Sequence, residues 1–162
     1  MKVLGLDLSL TATGYVVLDR DGALLKSGVA GFSLTRTAPS AKKIERLLAI
    51  ARAVAQVAKE TEVTDVCIEN YAFSAKGAQN DLGELHGVIK TQLYLSGLVC
   101  EYIASTQARA IVFKTGKRIE KKQVIPMLEG MGHRFEDHNV ADAYVIAEAY
   151  RQKLIAKEET SR

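Results

Sequence analysis

Val3-Leu4-Gly5-Leu6-Asp7 is an apolar strand that ends on a carboxylate, and Val66-Cys67-Ile68-Glu69 is a second strand that ends the same way. An acid at the inner end of an apolar strand calls for a cation, because an unpaired buried charge is costly. A third acid, Asp142, opens a late apolar helix in Asn139-Val140-Ala141-Asp142-Ala143. Three acids so separated point to one site assembled by the fold, with a divalent metal as its occupant. Singly, Asp142 also reads as a first-turn residue complementing the helix dipole, and Asp7 as a turn cap. Glu69 resists such readings, since Asn70 and Tyr71 follow it with no turn signal.

Outward from the first strand, a polar loop, Ser9 to Thr13, leads to a second strand, Gly14-Tyr15-Val16-Val17-Leu18. Asp21-Gly22 reads as a type I′ hairpin turn into a third strand, Ala23 to Gly31. Pro39-Ser40 starts a helix in which Ile44, Leu47, Leu48, Ala51, Val54 and Ala58 recur at helical spacing. The strand Val63 to Asn70 follows, parallel to the first by a right-handed crossover, so Asp7 and Glu69 share one end of neighbouring strands. A helix from about Gln79 to Leu95, a strand from Val99 to Ala104 and the apolar run Ile111-Val112-Phe113 come next. Pro126 sets the start of a helix with Val124, Met127, Leu128 and Met131 on one face near Lys121 or Lys122, or else kinks it. A last helix from about Asn139 to Lys157 buries Ala143, Ile146, Ala147, Tyr150 and Leu154 and frays at its polar end.

The chain's 162 residues make one core of ordinary size, so residues 1–157 are expected to form a single domain with 158–162 as a polar tail. No apolar run approaches the ~20 residues that cross a bilayer, and Asp7 interrupts a signal-peptide plan, which predicts a cytoplasmic protein. Cys67 and Cys100 lie in separate apolar runs and read as buried, reduced thiols. Positive charge is concentrated: residues 109 to 122 carry +5 of a chain whose net charge is +3, leaving −2 elsewhere. Such a segment suits a polyanion beside an acidic metal site, and equally a solvated helix face.

Oxygen-only carboxylate ligands suit Mg²⁺ or Mn²⁺ rather than zinc. Two such ions about 4 Å apart activate a water and stabilise the leaving oxygen of a phosphodiester. The order of elements and several motifs resemble the RuvC-type Holliday junction resolvases of the ribonuclease H-like superfamily. Gly5-Leu6-Asp7-Leu8-Ser9 with Thr13-Gly14-Tyr15 is similar to the family's first motif, and Cys67-Ile68-Glu69-Asn70 with Phe73 and Lys76 to its second. Leu82-Gly83-Glu84-Leu85-His86-Gly87-Val88-Ile89 resembles the helix after it. Thr115-Gly116-Lys117, Glu120-Lys121 and Gln123-Val124 resemble the basic segment, and Asn139-Val140-Ala141-Asp142-Ala143 the last motif.

The resemblance implies an α/β, ribonuclease H-like fold with a five-stranded mixed sheet. It implies a homodimer making paired, metal-dependent nicks in a four-way DNA junction and leaving 5′-phosphate and 3′-hydroxyl ends. Asp7, Glu69 and Asp142 would be metal ligands for two Mg²⁺ ions, with Mn²⁺ as a substitute. Asn139 stands where the family has a further acid or a histidine. It is read as a ligand or as the helix N-cap, with the nearby His138 as the alternative ligand. Lys121 would meet the scissile phosphate, and Lys117, Arg118, Lys122 and Lys76 the DNA backbone. Phe73, rather than Tyr71, would stack on unpaired bases, with core packing as the other reading. Gly83 and Gly87 give their helix a smooth stripe, for packing within the chain or against a second subunit, and His86 reads as a polar-face or packed histidine rather than a ligand. Two other readings stand beside this one: a branched-DNA-binding protein with weak or no cleavage, and an actin-like ATPase lobe. The second is disfavoured because Leu8-Ser9-Leu10-Thr11 lacks a phosphate-cradling glycine.

Overall fold

The computed structural model describes residues 1–35, 37–70 and 79–161. Strands β1 (Lys2–Asp7), β2 (Thr13–Asp19) and β3 (Leu24–Ala30) form the antiparallel meander, and helix α1 (Ser40–Glu60) crosses to β4 (Asp65–Glu69). Helix α2 (Gln79–Leu95), strand β5 (Cys100–Ile103) and helices α3 (Ser105–Val112), α4 (Lys121–Gly130) and α5 (His138–Thr160) follow. The sheet order is β3-β2-β1-β4-β5, with β4 parallel to β1 and β5 parallel to β4. This is the five-stranded mixed sheet of the ribonuclease H-like α/β class.

Side chains alternate across the sheet, and the alternation aims the acids. Val3 and Cys67 pack under α3, α4 and α5, whereas Leu4, Leu6, Val66 and Ile68 pack under α1 and α2. Asp7 and Glu69 therefore fall on the α5 side with Val3 and Cys67. Each fully buried Leu or Ile beneath the helices contributes roughly 1.5–3 kcal/mol.

Helix α5 lies against β1 and β2 because two glycines make room for it. A Cβ on Gly5 would stand 2.5 Å from the Ala147 nitrogen, and one on Gly14 would stand 2.9 Å from the Val140 nitrogen and nearer still to the Asn139 carbonyl. At its far half α5 is tied to the β2–β3 turn. The Arg151 guanidinium donates to the Arg20 carbonyl at 2.7 Å, and Arg20 pairs with Glu158 at 2.5 Å.

Several expectations are corrected. The hairpin is not type I′: only Gly22 has positive φ, at 89°, and its N–H donates to the Asp19 carbonyl at 3.2 Å. The Asp19 carboxylate accepts from the Asp21 and Ala23 nitrogens, which favours this three-residue loop. In α1, Ile44 is 56% and Leu48 36% exposed, and Ile50, Ala55 and Val57 are buried instead. Ile44 and Leu48 border an open groove of about 550 Å³ between α1 and α2. The Ile111-Val112-Phe113 run is the end of a helix, α3, anchored by buried Ala108 and Val112 one turn apart. Helix α4 starts at Lys121 as expected, with the Gln123 side chain accepting from the Glu120 N–H at 2.9 Å. Pro126 nevertheless lies past the first turn, where it forgoes a helical hydrogen bond. Met131 is 49% exposed. Helix α5 runs on to Thr160 rather than fraying at Lys157, and Tyr150 and Leu154 are only partly buried. Both cysteines are free, and burial pushes the Cys67 thiol up to about 12 and Cys100 to about 11.

Candidate metal and phosphate site

The β1–β4 register pairs Leu6 with Ile68, which brings the next residues, Asp7 and Glu69, together at the carboxyl ends of the two central strands. The Asn70 N–H donates to the Ile103 carbonyl at 2.8 Å, so the chain leaving Glu69 is still held by β5. Across from them α5 supplies Asp142, one turn inside the helix and only 5% exposed.

Two cations meet these acids. The Lys121 ammonium, at the first position of α4, lies 3.0 Å from Asp142 Oδ2 and 3.8 Å from Asp7 Oδ2. Arg109, from α3, donates through Nη2 to Asp142 Oδ1 at 3.0 Å and through Nη1 to the Ile119 carbonyl at 3.1 Å. Its Nε is buried without a partner. Arg109 thus fastens Asp142 to the backbone that leads into Lys121. In the sequence it counted only as one charge of a basic run. The available signal was its place four residues before Phe113 in an amphipathic segment, which turns it toward the sheet.

The electrostatics show a site short of positive charge. Burial pushes the Asp7 carboxyl up to about 8, and the charges of Glu69 and Asp142 add to this against the opposing pull of Lys121. For Lys121, burial lowers the pKa, but the hydrogen bond and charge of Asp142, with Asp7 and Glu69, outweigh it and raise the value above that of an ordinary lysine. Near neutral pH Asp7 therefore keeps a proton that an added cation would release.

The other predicted residues divide. Asn139 is half-buried, one helical turn before Asp142, with its backbone on Gly14. It is not the helix cap: Asp137 is, accepting from the Asn139 and Val140 nitrogens at 2.7 and 3.2 Å. His138 is exposed. Lys117 and Arg118 are exposed on the loop before α4, and Lys122 is exposed and paired with Glu120 at 2.9 Å. Phe73, Lys76 and Tyr71 lie outside the described residues. His86 is buried, with burial and Lys90 lowering its pKa. Among the described residues, Gly83 and Gly87 have nothing within 4 Å of an added Cβ, so the close packing that the sequence suggested for them is not found there.

Among the described residues, no three acid, histidine or cysteine side chains form a closed metal-ligand group, and the Lys121 ammonium bridges Asp7 and Asp142 instead. The donor set nevertheless fits a hard divalent cation, since its donors are carboxylate oxygens from three elements. A ribonuclease H-like sheet with converging carboxylates at its central strand ends, beside a basic loop, defines a nuclease. The family model for crossover junction endodeoxyribonuclease RuvC matches residues 3–150, and the chain belongs to that family, whose nucleases use divalent metal.

Crossover junction endodeoxyribonuclease RuvC of Rhodopseudomonas palustris (strain BisA53) is 28% identical over 161 residues, covering 96% of this chain and 90% of the relative. That of Nitrobacter hamburgensis is 29% identical over 150 residues, covering 91% and 86%. The fold superposes on T. thermophilus RuvC in complex with Holliday junction substrate with a TM-score of 0.77 at 22% identity, covering 92% of each chain. With the yeast mitochondrial Holliday junction resolvase the TM-score is 0.63 at 12% identity, covering 93% of this chain and 77% of that one. No helix among the described residues is long and apolar enough to cross a membrane.

Proposed function

We propose that this chain resolves four-way DNA junctions by paired nicks, as a homodimer, leaving 5′-phosphate and 3′-hydroxyl ends. The observation that carries this reading is that Asp7 of β1 and Asp142 of α5 meet on one cation, Lys121, with Glu69 beside Asp7 at the end of β4. Asp7, Glu69, Asp142 and Asn139 hold the metal, which is two Mg²⁺ ions, with Mn²⁺ able to substitute. When bound, the ions supply water activation and leaving-oxygen stabilisation.

The chain's own residues do the rest. Arg109 keeps Asp142 turned toward β1, and its hold on the Ile119 carbonyl keeps the loop carrying Lys117 and Arg118 beside the acids. Those two side chains and Lys122 neutralise backbone phosphates, which positions a duplex without reading its bases. Lys121 places a positive charge where a scissile phosphate would meet the carboxylates. Lys76 and Phe73 belong to the segment that leaves Glu69, and act there as a phosphate contact and a base-stacking ring. A second subunit docks on the α1–α2 face, where Gly83 and Gly87 leave α2 bare beside exposed Ile44 and Leu48.

The test is nicking of a synthetic four-way junction in Mg²⁺ and in Mn²⁺, wild type against Asp7→Asn. Symmetric nicks in the wild type and a loss of at least ~10³-fold in the variant are expected, the scale of removing a group that stabilises the transition state. Binding with no cleavage in either metal would leave a junction-binding protein and end the nuclease reading. Asn139→Asp should keep activity and Asn139→Leu lose it; equal loss in both would transfer the fourth position to His138.

A further inference from the structure

We infer that Lys121 is a displaceable counter-ion: its ammonium competes with the metal for the Asp7 and Asp142 carboxylates, and metal entry releases it to the DNA phosphate. The inference rests on the nuclease reading above and goes beyond it by coupling metal loading to substrate affinity through one side chain.

The two cations on Asp142 differ in how firmly they are held. The Arg109 side chain is 13% exposed and is also bonded to the Ile119 carbonyl, so it is fixed on Oδ1. The Lys121 side chain is 54% exposed, and among the described residues its ion pairs are with the two carboxylates, at 3.0 Å to Asp142 Oδ2 and 3.8 Å to Asp7 Oδ2. Oδ2 of each acid thus faces the same ammonium, and Asp7 and Asp142 are carboxylates that would hold a metal here. A flexible four-carbon stem allows the ammonium to leave without backbone movement. Its root at the first position of α4, next to Lys122 and beyond Lys117 and Arg118, keeps it on the basic side of the site once it is free. Metal-free, the lysine offsets part of the acid charge. Metal-bound, the same charge faces outward, where a phosphodiester is the available anion.

Competition of this kind separates Lys121 from an ordinary phosphate contact, because removing an ordinary contact leaves metal affinity unaltered. The probe is Mn²⁺ alone, titrated into the full chain without DNA and followed by electron paramagnetic resonance. Lys121→Met should bind Mn²⁺ tighter by about fivefold, the scale of one partly exposed ion pair. Lys122→Met removes an equal charge next door without touching the acids, and serves as the control for the general field. Its Mn²⁺ affinity should stay within about twofold, since an exposed charge at that remove is screened.

The second arm measures binding of a four-way junction with and without Ca²⁺ by fluorescence anisotropy. The wild type should gain affinity with Ca²⁺, and Lys121→Met should lose most of that gain. Unchanged or weaker Mn²⁺ binding in Lys121→Met overturns the inference, and so does equal tightening in Lys122→Met. If the wild type still nicks junctions in either case, the nuclease reading survives alone. A wild type that binds no Mn²⁺ and cuts nothing ends both.

Discussion

On the α5 side of the sheet, Gly5 and Gly14 are roofed by helix backbone, whereas on the other side Gly83 and Gly87 of α2 have open space where a side chain would stand. Both pairs cost backbone entropy, and only the first pair recovers it inside the chain. The roofed pair lets α5 come close enough for Asp142 to share Lys121 with Asp7. Of the open pair, Gly87 lies with exposed Ile44 and Leu48 along a groove that is open among the described residues. The difference teaches that the carboxylates gather where the fold closes on itself, whereas the opposite face keeps apolar side chains exposed among the described residues.

Breaking the closed side should have the largest effect. Gly14→Val drives a branched side chain into the Asn139 carbonyl and the start of α5, and is expected to cost roughly 3 kcal/mol or more in urea unfolding, together with all nicking. Near-wild-type stability would mean that α5 can lift without consequence, and the geometric account of the site would fail.

The next effect is electrostatic and runs in the opposite direction. Asp7 titrates at about 8 in the folded chain against an ordinary 3.8, so between those values the folded state holds a proton that the unfolded chain has lost. Metal-free stability should therefore fall as pH rises from about 4 to about 8, and be indifferent to Asp7 below that window. Asp7→Asn should flatten the fall and gain roughly 2 kcal/mol or more at pH 7.5 in the presence of a chelator. Parallel unfolding curves for the two proteins at pH 5 and pH 8 would contradict the charge account.

The smallest effect belongs to the open side. Gly87→Ala should raise the stability of the subunit by about 1 kcal/mol or less through helix propensity alone. It should also weaken self-association in sedimentation runs. A destabilised subunit would show that Gly87 packs inside the chain after all.

Much of the closed side was legible in the sequence because each part has a local signature. Asp7 and Glu69 end apolar strands, and strand alternation with a parallel crossover is enough to bring them together. Asp142 and Lys121 were legible through motif resemblance. Arg109 was not, since its partners lie 10 and 33 residues away and nothing in a basic run distinguishes a solvated charge from a buried clamp. Helix α3 was missed for a related reason: with only Ala108 and Val112 buried, its eight residues carry too little pattern for a period to emerge. The open side was misread at Ile44 and Leu48, whose helical spacing matches the buried stripe although they face the groove. Asn139 was placed one turn before Asp142 correctly, but Asp137 takes the cap because its carboxylate reaches two backbone N–H groups.

The ties between α5 and the β2–β3 turn set a tolerance for the candidate site. A helix advances 1.5 Å and turns 100° per residue, so a slip of one position along the sheet would rotate Asp142 out of reach of Asp7 altogether. Arg151 on the Arg20 carbonyl, and Arg20 on Glu158, act as an end stop against that slip at the far half of the helix from the metal site. Gly22 is part of the stop, since a side chain there would meet the Arg151 guanidinium at 3.3 Å. The hairpin that looks like a plain connection is a gauge block, and the alignment of the carboxylates is machined against it.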